Sequence, residues 1–353
     1  WKWTVIGTGI LCFLTLFLDL GRRLDSMPLP VARILYATGT SSVMVLLYLV
    51  MLFLVLDLGR LVGVVPRAWL HANGVTSMAI LGFIVTVFLC GNIHYNNKVR
   101  VPIQLSTTKP LPHDYRIVML SDLHLGYHNT RADLAKWVDK INAEQPDLIL
   151  IAGDIIDISI HPLLEEDIAS EFYRLEAPVF ACLGNHEYYS GSAEAQGFYR
   201  DADIWLLNDT SYVLDNALVI IGRDDRSNRS RKTVEQLASE ADLSKYAILL
   251  DHQPYELERT EHAGIDFQLS GHTHRGQVWP ISWITDALYE CSWGSHQRGA
   301  TQYYVSSGIG IWGGKFRIGT QSEYVVATLK EESGKRRVES GKRKEERGKW
   351  KES

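Results

Sequence analysis

Five short apolar runs between residues 116 and 269 each stop at a side chain that can bind a metal ion or move a proton. Residues 116–120 lead into Ser121-Asp122-Leu123-His124, 147–152 into Gly153-Asp154, and 179–183 into Gly184-Asn185-His186-Glu187. Residues 246–250 lead into Asp251-His252-Gln253-Pro254, and 266–269 into Ser270-Gly271-His272-Thr273-His274. Short apolar runs bounded by turn residues read as strands buried on both faces. The intervening segment 130–144 carries Leu134, Trp137, Val138 and Ile141 at helical spacing, and 162–175 and 230–243 also read as helices. Strand signals at 218–222, 303–306 and 324–329 complete the region. Strands alternating with helices, with chemistry collected at the strand ends, define an α/β layered domain.

Apolar content is uneven. It reaches 46% over the 353 residues, with 22% charged, which excludes wholesale disorder. Three runs, 3–20, 34–56 and about 72–93, crowd the N-terminal region, and each approaches the ~20 residues that cross a hydrocarbon core. Trp1, Trp3 and Trp69 sit near their ends, as interfacial aromatics do. Three membrane spans are therefore expected over residues 1–95, followed by a polar, Pro-bearing linker at 96–112 and a catalytic domain at 113–330. The charged residues at 331–353 are expected to form a disordered tail. The chain opens on Trp1 rather than Met, which predicts that residues precede it. Arg22, Arg23, Arg33, Lys98 and Arg100 on one side of the spans, against Lys2, Arg60 and Arg67 on the other, lean toward a cytoplasmic catalytic domain at an inner membrane.

A net charge of −5 gives no sign of a nucleic-acid partner, and four scattered cysteines without a Cys-x-x-Cys pair give neither a disulfide framework nor a thiolate zinc site. The ligand types gathered at the strand ends are instead Asp122, His124, Asp154, Asn185, His186, His252, His272 and His274. Two carboxylates, an amide and several imidazoles suit two divalent ions of the manganese, iron or zinc kind. Alternate residues share a strand face, so Asp122 and His124, and likewise His272 and His274, are expected to point the same way. Each motif alone reads equally well as a turn; five in fixed order do not.

That ordered set, Asp122-x-His124, Gly153-Asp154, Gly184-Asn185-His186-Glu187, His252 and Gly271-His272-x-His274, resembles the calcineurin-like metallophosphoesterase superfamily. The resemblance is to the bacterial branch with N-terminal membrane spans, and it extends over about 116–329 through 305–310 and Arg317-Ile318-Gly319. It implies a four-layer sandwich of two mixed β-sheets flanked by helices, with a dinuclear metal centre at the strand ends. It also implies one metal on Asp122, His124 and His274, the other on Asn185, His252 and His272, and Asp154 bridging them, with His186 as general acid. Manganese is the favoured ion, and the implied reaction is hydrolysis of a phosphodiester or related ester by a water shared between the metals. Arg275 stands where Gly is frequent in that branch and is a candidate substrate contact; Lys315-Phe316 stands where Pro is usual.

The aromatic stretch 277–293 reads either as a rim admitting a lipid-linked phosphate or as packing against the spans, and the loop with Asp224, Asp225 and Arg226 is expected near the site. Membrane lipids are expected partners; the sequence gives no oligomeric state. Two other functions fit the same residues: a pyrophosphatase acting on a nucleotide-linked lipid precursor, and a non-catalytic membrane-tethered sensor. A chain that had lost catalysis would have no use for the complete ligand set, which favours an enzyme.

Overall fold

The computed structural model describes residues 2–70 and 73–332. The expected tail at 331–353 lies outside them beyond Glu332.

Among the described residues, twelve strands are numbered in chain order: β1 (Lys98–Thr107), β2 (Tyr115–Leu120), β3 (Leu148–Ala152), β4 (Val179–Cys182), β5 (Trp205–Leu206), β6 (Thr210–Leu214), β7 (Leu218–Gly222), β8 (Tyr246–Leu250), β9 (Phe267–Ser270), β10 (Gly294–Arg298), β11 (Thr301–Val305) and β12 (Ser322–Glu331). They form two six-stranded sheets, ordered β1-β12-β2-β3-β4-β5 and β10-β11-β9-β8-β7-β6. Both are mixed. β2, β3, β4 and β5 run parallel, as do β7, β8, β9 and β11, while β12 is antiparallel to β2 and β6 to β7.

The inner faces of the sheets meet in one core that includes Ile117, Met119, Leu150, Phe180, Ile220, Ile248, Leu269 and Val325. The outer face of the first sheet is covered by the helix Arg131–Ala143 through Leu134, Trp137, Val138 and Ile141, as their spacing predicts. The outer face of the second is covered by Val234–Glu240. The result is a helix–sheet–sheet–helix sandwich. Every residue of β3, β4, β7, β8 and β9 is buried, which is why these strands read as unbroken apolar runs.

The parallel central strands deliver their C-terminal ends to one edge. There the chain leaves β2 before Asp122, β3 before Asp154, β4 before Asn185, β8 before His252 and β9 before His272. Loops beyond the carboxyl ends of parallel strands are where such sheets place their sites.

Three expectations are corrected. The segment 96–112 is not a linker: β1 occupies ten residues of it and pairs with β12 from Lys98–Ser322 to Thr107–Glu331. Pro102 argued against a strand, but β1 is an edge strand, where a missing N–H costs no ladder bond. The single helix expected at 162–175 is two short ones, His161–Glu165 and Ala169–Phe172. Finally, only two of the three apolar runs are unbroken helices of spanning length, Leu29–Leu61 and Gly74–Asn96. The first run is an α-helix only over Lys2–Leu14, and Thr15–Gly21 continues as 3₁₀ turns. There the Thr15 hydroxyl donates back to the Cys12 carbonyl, and the backbone at Leu16 lies so near Gly39 that no side chain would fit between them.

The two long helices are apolar all round and little buried, at 11% and 17% of their most apolar windows, unlike helices in the core of a soluble domain. They also hold the sandwich firmly. Tyr36, Thr40 and Tyr48 of the first and Ile84, Phe88, Gly91 and Tyr95 of the second are buried.

Candidate metal centre

The backbone at the strand ends is turned sharply. Asp122, His124, Asp154, His272 and His274 all adopt left-handed conformations, with φ of 54, 45, 52, 70 and 47°. This overturns the expectation that alternate residues share a strand face: the chain has already left β2 and β9, and each of these residues turns it. Non-glycine residues held so cost on the order of 1–2 kcal/mol each and persist where surrounding bonds fix them. Here the loops fix one another. Asp122 N–H donates to Gly153 O at 3.1 Å, His124 N–H to Asp154 O at 3.0 Å, and Gly271 N–H to His252 O at 2.9 Å. Gly153, at φ 75°, is needed twice over, since a Cβ there would lie 2.8 Å from both Gly184 N and His252 Nδ1.

The side chains fall into groups. Asp122, His124 and His274 present their ligand atoms together, as do Asp154, His252 and His272. In the first group His124 Nε2 lies 3.0 Å from His274 Nε2, and Asp122 Oδ1 lies 3.8 and 3.5 Å from the two nitrogens. In the second, His252 Nε2 lies 3.1 Å from Asp154 Oδ2, and Asn185 Oδ1 lies 2.8 Å from His272 Nδ1. Asp154 Oδ2 also stands 3.7 Å from His124 Nε2, so one carboxylate faces both groups. All eight strand-end residues of the sequence analysis thus meet at one edge.

Three residues were not assigned a role from sequence. Asp157 lies 3.4 Å from His124 Nδ1 and 3.2 Å from His186 Nδ1, and the three form a third cluster of ligand-type atoms. Glu187, fully buried, accepts the backbone N–H of Gly184, Asp154 and Ile156 at 2.7, 3.1 and 3.0 Å, tying the β3 and β4 loops together. Arg317, also buried, donates to the carbonyl of His274 at 2.7 Å, to that of Ser307 and, at 3.3 Å, to that of Gly310. The signals were in view, a second Asp three residues after Asp154 and an Arg after the Gly-rich 308–314, but their partners are loops distant in sequence.

Charge in the site is finely opposed. Burial works against the ionised carboxylates, yet His252 and His186 hold Asp154, and the adjacent His124 and His186 rings hold Asp157, well below the usual carboxylate range. Burial raises Asp122. Burial and the neighbouring His252 push His272 down to about 4, and burial and His124 push His274 well below the usual histidine range. Burial opposes protonation of His252 and His186 too, but Asp154 outweighs it, raising His252 well above an ordinary histidine and His186 to about 9.

A cation fits this arrangement. Asp154 as an ionised carboxylate and His272 and His274 as neutral imidazoles are in the ligand forms a divalent ion requires, and the proton that Asp154 draws onto His252 is positive charge that a cation would replace. His252 Nδ1 faces the Ala152 carbonyl at 2.7 Å, an arrangement that orients Nε2 toward Asp154. Among the described residues, His252 Nε2, His124 Nδ1, His274 Nδ1 and Asp157 Oδ1 are buried with no hydrogen-bond partner, an arrangement that is costly in a site built only of protein.

Comparison with known proteins agrees with the geometry. The family model described as calcineurin-like phosphoesterase matches residues 115–276. A metallophosphoesterase of Aquifex aeolicus is 32% identical over 244 residues, covering 66% of this chain and 92% of its own. The chain is a calcineurin-like metallophosphoesterase. As a member of that family it is a metal-dependent phosphoesterase acting on phosphate esters. A metallophosphoesterase of Campylobacter jejuni is 32% identical over 245 residues; the match covers 67% of this chain and 65% of the relative's length. A protein of Danio rerio named as a transmembrane protein with metallophosphoesterase domain is 27% identical over 285 residues, covering 74% of this chain and 64% of its own. With the two apolar helices, that similarity suggests membrane association for this metallophosphoesterase.

The remaining candidates lie close by. Arg275 stacks its guanidinium 4.0 Å over the Trp293 ring. In the loop after β7, Asp225 accepts from Gln253, the neighbour of His252, at 2.8 Å, and Asp224 accepts from Tyr188 at 2.8 Å.

Proposed function

We propose that this metallophosphoesterase hydrolyses a phosphodiester, or a related phosphate ester, at a dinuclear centre of divalent ions, with manganese favoured by the O/N donor set. The observation that carries the reading is Asp154 Oδ2, 3.1 Å from His252 Nε2 and 3.7 Å from His124 Nε2, standing between two groups of ligand atoms. Asp122, His124 and His274 would hold one ion and Asn185, His252 and His272 the other, with Asp154 shared. When bound, such a pair acidifies water for attack on phosphorus and offsets charge on the phosphoryl oxygens.

His186 is the proton donor to the departing oxygen. Its ring is edge-on to His124, with centroids 4.5 Å apart, and Asp154 and Asp157 keep it protonated at neutral pH, which a general acid needs. Asp157 fixes the ring through its carboxylate, and the Asp157 carbonyl lies 3.0 Å from His186 Nδ1, leaving Nε2 for substrate. Arg275, held over Trp293 one residue from His274, supplies a guanidinium for a substrate oxygen. The substrate is membrane-associated, and the catalytic domain lies on the cytoplasmic side. Both readings rest on the two apolar helices and on Arg22, Arg23, Arg33, Lys98 and Arg100 at their sandwich ends, against Arg60 and Arg67 at the far tip.

The test is hydrolysis of a chromogenic phosphodiester beside the matching monoester by the detergent-purified chain with added manganese, Asp154→Ala serving as blank. Diester cleavage absent from the variant supports the proposal. Cleavage of the monoester alone makes the protein a monoesterase, and cleavage only of a nucleotide pyrophosphate makes it a pyrophosphatase. No turnover of any of the three with both ions bound favours the sensor reading.

A further inference from the structure

The long helices do not stand clear of the sandwich. Burial against it runs to Tyr48 on the first helix and begins at Ile84 on the second, and the Tyr48 and Phe88 rings meet at 5.4 Å. The hairpin beyond that level has 13 residues on the first arm (49–61) and ten on the second (74–83), about 20 and 15 Å at 1.5 Å per residue. A hydrocarbon core is ~30 Å thick. A bilayer enclosing the hairpin to its tip therefore reaches about 10–15 Å, or roughly seven to ten residues, back along the sandwich. On the first helix that is Ser41-Ser42 and on the second the stretch from Asn92 to His94, the places where polar side chains return in each sequence. Two independent helices set the same boundary.

At that depth the sandwich presents apolar surface. Tyr48 Oη donates to the Trp279 carbonyl at 2.6 Å, and Val278 packs in one cluster with Tyr48, Ile84 and Phe88. Trp279 leads into the helix Ile281–Leu288, whose Trp283, Ile284 and Leu288 are 65, 57 and 70% exposed. The single acid of this helix, Asp286, accepts from the Ser292 hydroxyl near its far end. Just beyond that end, the Tyr289 ring lies 6.4 Å from the ring of His272. The apolar helix thus runs from the depth of Tyr48 to the edge of the metal cluster. Tyr36 donates to Asp157 at 2.6 Å and lies six residues from Ser42, which sets the cluster about 9 Å above the hydrocarbon, against a headgroup layer of roughly 5–7 Å.

We infer that the face formed by Trp279, Trp283, Ile284 and Leu288 docks into the same bilayer leaflet as the hairpin. It holds the metal cluster at the outer edge of the headgroup layer, so that a phosphate carried on the headgroup of a membrane lipid reaches it while the lipid stays anchored in the membrane. Exposed aromatics on an amphipathic helix are suited to this boundary. The inference rests on the phosphoesterase reading for its substrate but not for its geometry.

The experiment uses the full chain with Cys12→Ser and Cys90→Ser, in vesicles of phosphatidylcholine and phosphatidylglycerol. A fluorescent label is placed at Leu288→Cys or, as a second variant, Ile284→Cys. Leu58→Cys on the hairpin and Glu240→Cys on the far side of the sandwich are the references. Nitroxide on the lipid acyl chains should quench more than half the emission at 288 and 284, as at 58, and leave 240 unchanged, while iodide should do the reverse. Iodide quenching at 288 and 284 with no lipid quenching overturns the inference. So does protection from both quenchers, which would mean that a second copy or another protein covers the face. Lack of lipid quenching at 58 overturns it as well. Hydrolysis of a soluble ester in the same vesicles is scored separately, so loss of the phosphoesterase reading is not mistaken for loss of the docking.

Discussion

Asp157 binds nothing itself in the proposed scheme, yet it joins two imidazoles of the site to the first long helix. Its Oδ1 faces His124 and His186, and its Oδ2 accepts the Tyr36 hydroxyl from the first long helix. A carboxylate behind a metal-binding imidazole raises its basicity and fixes its ring, and losing one typically costs 10–100-fold in affinity or rate. Asp157→Asn is therefore expected to weaken metal binding and turnover by about that factor. Tyr36→Phe, which leaves the carboxylate in place, should cost less; metal titration by calorimetry beside kcat on the chromogenic ester checks both. His186→Ala is expected to keep both metals and to slow turnover by about 10²–10⁴-fold. The loss should be largest for esters with poor leaving groups. Equal losses across leaving groups would remove the acid role from His186.

At the level of elements, legibility divides by what a residue answers to. The central strands β3, β4, β7, β8 and β9 were readable because burial on both faces demands unbroken apolar runs, and the ligands because metal chemistry admits few side chains. The edge elements were not. β10, Gly-Ser-His-Gln-Arg, carries no apolar pattern, β5 is two residues long, and Pro102 disguised β1. Left-handed backbone at Asp122 or His274 leaves no trace in a sequence when the residue is chosen for its side chain. Glu187 and Arg317 answer to backbone groups far along the chain. Arg317 makes the point quantitatively: burial lowers it to about 10, although Glu323 opposes the shift, and it bonds to carbonyls of His274, Ser307 and Gly310. Arg317→Met removes those donors at nearly constant volume and leaves buried carbonyls unpaired, each costing about 1–3 kcal/mol. A loss of about 3–5 kcal/mol is expected, read as a fall in thermal midpoint of the order of 10 °C for a domain of this size. Because one of those carbonyls belongs to His274, metal affinity should fall with it.

Across the whole molecule, the helices and the sandwich are one packed body. Tyr95 donates to Asn129 at 2.6 Å, Arg33 pairs with Glu166 at 2.6 Å, and Asn92 donates to the Lys315 carbonyl at 3.0 Å. His128 sits in this seam. Its Nδ1 bonds to the Gly313 carbonyl, its ring meets Tyr36 edge-on at 5.9 Å, and burial followed by the charge of Lys315 lowers it to about 4 from an ordinary 6.5. The sign of the effect follows. Above pH 6.5 both the folded and unfolded chains leave the ring neutral and its contribution is complete. As pH falls from 6.5 toward 4, the unfolded chain takes up a proton that the folded seam refuses, so stability falls, by at most about 3 kcal/mol for a shift of that size. His128→Asn keeps a donor for Gly313 and removes the titration. Thermal midpoints of the two chains in the same detergent should therefore be closest in their pH dependence above pH 7. Below 6.5 they should diverge, with the native chain losing stability faster. Parallel curves down to pH 4.5 would show that the seam opens to water around His128, and that the helices grip the sandwich less closely than these contacts require.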